Sequence, residues 1–154
     1  MYYLAWLNWS LNSKWDAGME VEYIFVYGTL RKSAAQDMYR VLARSCEYVA
    51  DGFMQGRLYE IVGYPGAIES DDAHDQVRGE IYKTRESAQV LARLDGYEEC
   101  NASFPEPHEY IRKVIVVKIC GGDNVKAWAY IFNRDVSRLQ QIQSGDYLEF
   151  HKKK

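Results

Sequence analysis

Two short stretches of this 154-residue chain carry residue types at spacings suited to chemistry. The first is Leu94-Asp95-Gly96-Tyr97-Glu98-Glu99, which closes a segment whose apolar residues recur at helical spacing. Leu94 and Tyr97 lie three apart and are expected to share the core-facing side. Glu98 follows Leu94 at i+4, so its carboxyl is biased toward the same face. Burial disfavours the charged form of a carboxyl and raises its pKa toward neutrality, where one group serves as both general base and general acid. Asp95 and Glu99 fall elsewhere on the helix and are expected in solvent. A single glutamate at a helix end is more often a plain surface charge, so position alone does not decide.

The second stretch is Tyr27-Gly28-Thr29-Leu30-Arg31, between a strand-like run and a helix-like one. Glycine permits a turn whose successive backbone N–H groups converge on one concavity, and such nests bind anionic oxygens. Thr29 adds a hydroxyl. The same pattern also marks ordinary strand ends. It is not a P-loop, because the glycine spacing and the lysine are missing.

Other chemistries are poorly supplied. His74, His108 and His151 are scattered at no metal-ligand spacing, so no metal site is expected and no cofactor motif is present. Cys46, Cys100 and Cys120 form no CxxC pair and cannot all be paired within one chain. With no signal-peptide pattern at the start, this favours a reducing, cytoplasmic setting. A net charge of −3 gives no electrostatic case for nucleic acid or an anionic membrane. The basic run Lys152 to Lys154 reads as a solvated tail. Met1 to Gly18 is rich in tryptophan, but its apolar part is too short to span a bilayer. It reads as an extension, either dispensable, with Met19 the functional start, or a packed appendage that buries its aromatics, and 19–154 reads as one domain.

The elements that must hold the two stretches follow from periodicity. Val21 to Tyr27 is β-rich with few polar breaks, as in a strand buried on both faces. Ser33 can cap a helix from about Ala34 to Arg44. Short strands are expected at Tyr48–Val49, Gly56–Ile61 and Val77–Tyr82. The turn-rich loop between the last two holds Gly63, Tyr64, Pro65, Gly66 and the acidic cluster Asp71, Asp72 and Asp75. A second helix starts near Thr84, a suitable N-cap, and carries the stripe Ala88, Val90, Leu91 and Leu94. After a loop at Asn101 to Pro107, Tyr110–Cys120 and Val125–Phe132 form a hairpin, and Ile142 to Phe150 is a loose last segment. About six strands with two helices indicate an α+β domain whose mixed sheet curls toward a small β-barrel.

Taken together, the motifs resemble the gamma-glutamylcyclotransferase-like family, nearest its small single-domain branch that includes gamma-glutamylamine cyclotransferase. Phe25-Val26-Tyr27-Gly28-Thr29-Leu30-Arg31 is similar to the family's opening signature. Tyr64-Pro65-Gly66-Ala67-Ile68, Gly79-Glu80-Ile81-Tyr82 and Leu94-Asp95-Gly96-Tyr97-Glu98 follow in family order. Tyr110-Ile111-Arg112 and Ser144-Gly145-Asp146-Tyr147 complete the set, so the likeness spans about Val21 to Tyr147. It implies a curled sheet or barrel with flanking helices. It implies that Tyr27, Gly28, Thr29 and Leu30 hold a gamma-glutamyl or 5-oxoproline group through backbone amides, with Glu98 as the catalytic glutamate. Tyr64 and Tyr110 are candidates to line the pocket or hydrogen-bond the substrate, and packing roles suit them equally. After Arg31 the family often has a Gly and an Asn, where this chain has Ser33, Ala34 and Gln36.

The implied reaction is an intramolecular aminolysis, in which the α-amine of a gamma-glutamyl group attacks its own side-chain amide. The nucleophile belongs to the substrate, which suits a sequence without a Ser, Cys or metal constellation. The partner expected is therefore a small gamma-glutamyl compound. A module that binds a small acid in the same pocket without turnover, and a purely structural domain, are the competing readings.

Overall fold

The computed structural model describes residues 21–28, 31 and 37–154. The N-terminal extension, Thr29, Leu30, the Ser33 cap and the expected helix start at Ala34 lie outside the described residues.

Strand β1 (Glu22–Val26) lies between two partners, antiparallel to β4 (Gln76–Thr84) and parallel to β6 (Asn124–Phe132). β4 also pairs with β2 (Glu47–Glu60), and β6 with β5 (Tyr110–Ile119). Pairing of Gly52–Met54 in β2 with Val117–Ile119 in β5 joins the two outer strands, so the five-stranded mixed sheet closes on itself. Closure removes the free sheet edges that would otherwise pair with other chains. The far end of β2 overhangs the barrel and takes β3 (Pro65–Glu69) and the two-residue β7 (Gln140–Gln141) as partners. Three helices complete the described residues: α1 (Asp37–Ser45), α2 (Ser87–Tyr97) and α3 (Tyr147–Lys152). No helix among them is long and apolar enough to cross a membrane.

The two-residue period of the strands divides the core in two. One set of side chains fills the barrel: Phe25, Met54, Leu58, Ile81, Val117 and Ile131, with the small Ala127 and Ala129 where the walls crowd. Alternate residues of the same strands, Ile24, Val26, Tyr82, Tyr130 and Phe132, face outward beneath Leu42 of α1 and Val90, Leu91 and Leu94 of α2. β1 is thus covered on both sides, as its unbroken apolar run requires.

The fold class agrees with expectation, and several elements differ in detail. Tyr48–Val49 and Gly56–Ile61 are not separate strands but parts of the single 14-residue β2. Gly52, in the gap between those two segments, pairs with Gly79 of β4 and Ile119 of β5 at once. Pro65-Gly66-Ala67-Ile68-Glu69 falls in the expected loop and is β3, because register with β2 outweighs the Pro-Gly turn signal. Thr84 closes β4 instead of capping α2. Its hydroxyl donates to Ser45 C=O (2.9 Å) and accepts the Glu86 N–H (3.0 Å). The loose ending is partly helical, since Asp146 caps α3 by accepting the N–H groups of Leu148 and Glu149.

Gly145, which precedes that cap, has φ +67°, and a Cβ there would lie 1.9 Å from the Gln76 carbonyl oxygen. Its own carbonyl accepts the Arg78 N–H at 2.8 Å, so the close approach carries a hydrogen bond. Gly145→Ala combines a left-handed strain with a backbone overlap. It is expected to destabilise the fold by on the order of 3 kcal/mol, or about 10 °C in Tm. Thermal unfolding checks this, and a shift below about 2 °C would contradict it.

Candidate active site

The end of α2, the turn after β1, the head of β3 and the start of β5 converge on a cavity of about 380 Å³. Glu98 comes from the first of these. It follows the last helical residue, and its N–H donates to Leu94 C=O at 2.8 Å. Glu99 then adopts φ +55°, and the Cys100 N–H closes back on Asp95 C=O (3.0 Å). This left-handed exit reverses the chain directly after Glu98. A non-glycine residue there costs on the order of 1 kcal/mol, a strain typical of functional segments.

The helix end is held from below. Asp95, expected in solvent, is partly buried. It accepts the Tyr130 hydroxyl (2.7 Å) on one oxygen and Arg112 Nη1 (2.9 Å) on the other, while the Arg112 guanidinium sits 4.9 Å from the Trp128 ring centre. Tyr97, expected in the core beside Leu94, is instead 40% exposed and borders the cavity. The helix turns Leu94 fully inward, and three residues on, at its last turn, the core gives way to the cavity mouth.

Burial raises the pKa of Glu98 to about 7, and the charge of Glu109 contributes in second place. Glu109 precedes Tyr110 and was not singled out by sequence reasoning. Its only sequence signal is adjacency to the strand-opening Tyr110-Ile111-Arg112. Tyr64 donates its hydroxyl across both Glu109 oxygens (3.0 and 3.1 Å), and Arg134 Nη1 stands 3.7 Å away. Tyr110 donates to Pro65 C=O at 2.6 Å and packs edge-on against Phe132. Both tyrosines therefore border the cavity, and each hydroxyl proton is already engaged within the protein.

Tyr27 borders the same cavity, but its hydroxyl is committed elsewhere. It donates to Tyr130 C=O (2.6 Å) and accepts the Ala67 N–H (3.2 Å), binding β3 to the barrel. Burial pushes its pKa far above the usual phenol range. Gly28 follows, and a Cβ there would lie 2.6 Å from Pro65 Cγ, so only glycine lets β3 come this close. The Arg31 N–H donates back to Gly28 C=O at 3.1 Å, closing the turn. The Arg31 side chain is buried; its Nη1 donates to Asp146 Oδ1 (2.8 Å), and its Nε lies 3.8 Å from Glu80 Oε1.

The structure thus brings Glu98, Tyr27, Gly28, Tyr64 and Tyr110 around one space. Thr29 and Leu30 lie outside the described residues. A carboxyl titrating near neutrality beside a glycine turn can move a proton in either direction.

The raised pKa makes a prediction with a definite sign. Between pH 4.5 and 7 the folded chain binds the Glu98 proton more strongly than the unfolded chain does. Stability from this group is full below the unfolded value and lost as pH rises through about 7. Glu98→Gln should therefore flatten the fall of Tm across that interval, measured by unfolding scans against pH. An unchanged slope would show that Glu98 is not desolvated.

Comparisons with known proteins agree with this architecture. The family described as "Gamma-glutamyl cyclotransferase, AIG2-like" matches residues 24–149. The chain is 30% identical over 127 residues to the gamma-glutamylcyclotransferase family protein YtfP of Escherichia coli, covering 82% of this chain and 96% of that one. The solution structure of Escherichia coli ytfP superposes with a TM-score of 0.56 at 29% identity, covering 84% and 98% of the two chains. A crystal structure of an aig2-like protein from Mus musculus superposes with a TM-score of 0.63, covering 83% and 88%. At 24% identity that likeness speaks to the fold alone.

Proposed function

This chain belongs to the gamma-glutamyl cyclotransferase, AIG2-like family, and on that premise we propose that it converts a gamma-glutamyl amide into 5-oxoproline and a free amine, with Glu98 as general base and then general acid. The observation that carries the reading is that the Glu98 carboxyl, titrating near 7, borders the same cavity as Tyr27 and Gly28.

In this mechanism the cavity holds the substrate folded, with its α-amine against its own side-chain carbonyl, so that the attack is a near-attack step rather than a chance encounter. Glu98 takes a proton from the α-ammonium. The freed amine bonds to the amide carbon, closing the five-membered ring. The amide C–N bond then breaks, and the departing nitrogen receives both the proton held by Glu98 and the excess proton of the ring nitrogen, so the amine leaves as an ammonium and Glu98 is restored as the carboxylate. Backbone N–H groups of the Gly28–Leu30 turn bind the α-carboxylate or the developing oxyanion, as the family resemblance implies. Because Glu98 must be ionised to accept the first proton, kcat/KM is expected to rise with pH through about 7.

The test is mass-spectrometric detection of 5-oxoproline after incubation with a panel of gamma-glutamyl amines and peptides. Product from the native chain identifies both the reaction and the amine released. Absence of product from every member, together with a thermal shift on adding 5-oxoproline, would favour a small-acid-binding module instead.

A further inference from the structure

The mechanism above uses one carboxyl group, and the cavity is bordered by two others, Glu99 and Glu109, that have no part in it. An ammonium entering the site brings three N–H donors, of which Glu98 accepts one during proton transfer. The others lose their water on entry and need acceptors, since a desolvated and unmatched charged donor is costly. The hydroxyls of Tyr27, Tyr64 and Tyr110 donate to Tyr130 C=O, Glu109 and Pro65 C=O, and the Tyr27 oxygen already accepts the Ala67 N–H; the oxygens of the other two are neutral acceptors, weaker toward an ammonium than a carboxylate. Glu99 also borders the cavity but is exposed, where solvent screens it.

Glu109 is differently placed. Tyr64 fixes both of its oxygens with one proton, and Arg134, at 3.7 Å, is an ion-pair neighbour beyond ordinary hydrogen-bond length. A carboxylate offers about four acceptor positions, so most of this group's capacity remains unused. It lies close enough to Glu98 for its charge to act on that carboxyl.

We propose that Glu109 is a second acceptor for the substrate's α-ammonium, holding it beside Glu98 before proton transfer and selecting compounds with a free α-amine. This inference rests on the cyclotransferase reading. Tyr64 then serves to orient the Glu109 carboxylate and does not touch the substrate with its own proton.

The test is a binding cycle on chains that cannot turn over. Calorimetry would measure gamma-glutamyl n-butylamide and its deamino counterpart, glutaric acid mono-n-butylamide, on Glu98→Gln and on Glu98→Gln/Glu109→Gln. The first variant should prefer the amine-bearing compound by about tenfold or more, and the second should lose most of that preference while binding the deamino compound as before. A merely structural role for Glu109 would weaken both compounds alike. An equal preference in the two variants, or no preference or binding in either, would overturn the inference. Release of 5-oxoproline by the native chain is read separately, so the reaction can stand while this role for Glu109 falls.

Discussion

Glu98→Gln is expected to fold as the native chain does and to release 5-oxoproline at least about a thousandfold more slowly, the upper part of the range for removing a positioned acid/base. Glutamine has nearly the same shape, so the cavity keeps its form. It removes a group whose charged form the site already disfavours, so at pH 8 the variant should be no less stable than the native protein. The amide can neither take the ammonium proton nor return one to the leaving nitrogen. Turnover by mass spectrometry and Tm from the same preparation decide the matter together. Retained turnover with a normal Tm would refute the assignment. Lost turnover with a collapsed Tm would show only that the position is structural.

Arg31→Met is expected to cost about 3–5 kcal/mol of stability, the range found when one partner of a buried ion pair is removed. The guanidinium sits between two carboxylates from distant parts of the chain. Asp146, which caps α3, accepts from its Nη1 at 2.8 Å, and Glu80, 2% exposed on β4, lies 3.8 Å from its Nε. Glu80 also accepts the Tyr82 hydroxyl at 2.7 Å; burial first, and then this bond, push the tyrosine's pKa upward. Methionine would fill much of the volume and take this guanidinium away from both carboxylates, with Arg78 remaining 4.0 Å from Asp146. Arg31→Lys should recover part of the loss, because an ammonium supplies charge but lacks the fork needed to serve two carboxylates. Chemical unfolding of the three chains measures this. A loss under about 1 kcal/mol for methionine would mean that solvent already screens the cluster.

The turn closed by Gly28 and Arg31 is therefore tied to the C-terminal helix cap as well as to β1. Gly145 contributes to the same tie, because its close approach to Gln76 sets Asp146 within reach of Arg31. Substitutions at either position should lower stability and turnover together, whereas Glu98→Gln should separate them.

Much of this protein could be read directly from residue order. An unbroken apolar run marked β1 as covered on both faces, and Gly28 marked the turn after it. The i to i+4 relation between Leu94 and Glu98 aimed a carboxyl at the core side of α2. These features depend on backbone geometry and on spacing within a few residues, which are local. The order of the short motifs then pointed to the family; that Glu98 and Gly28, far apart in the chain, border one cavity is seen only in the folded chain.

The tertiary structure decided what local spacing cannot carry. Pro65-Gly66 looked like a loop, yet pairing with the overhanging end of β2 makes it the start of β3, and pairing within the closed barrel joins the two short segments expected around Tyr48 and Gly56 into one strand. Asp95 looked solvated until Tyr130 and Arg112, from two other strands, met it. Glu109 carried no signal of its own and became part of the site only because the start of β5 lies against the end of α2 and the head of β3. For Asp95 and Glu109 the deciding contact joins residues far apart in the chain. Its free energy comes from burial and pairing that exist only once the barrel has closed, so no window of the sequence contains it.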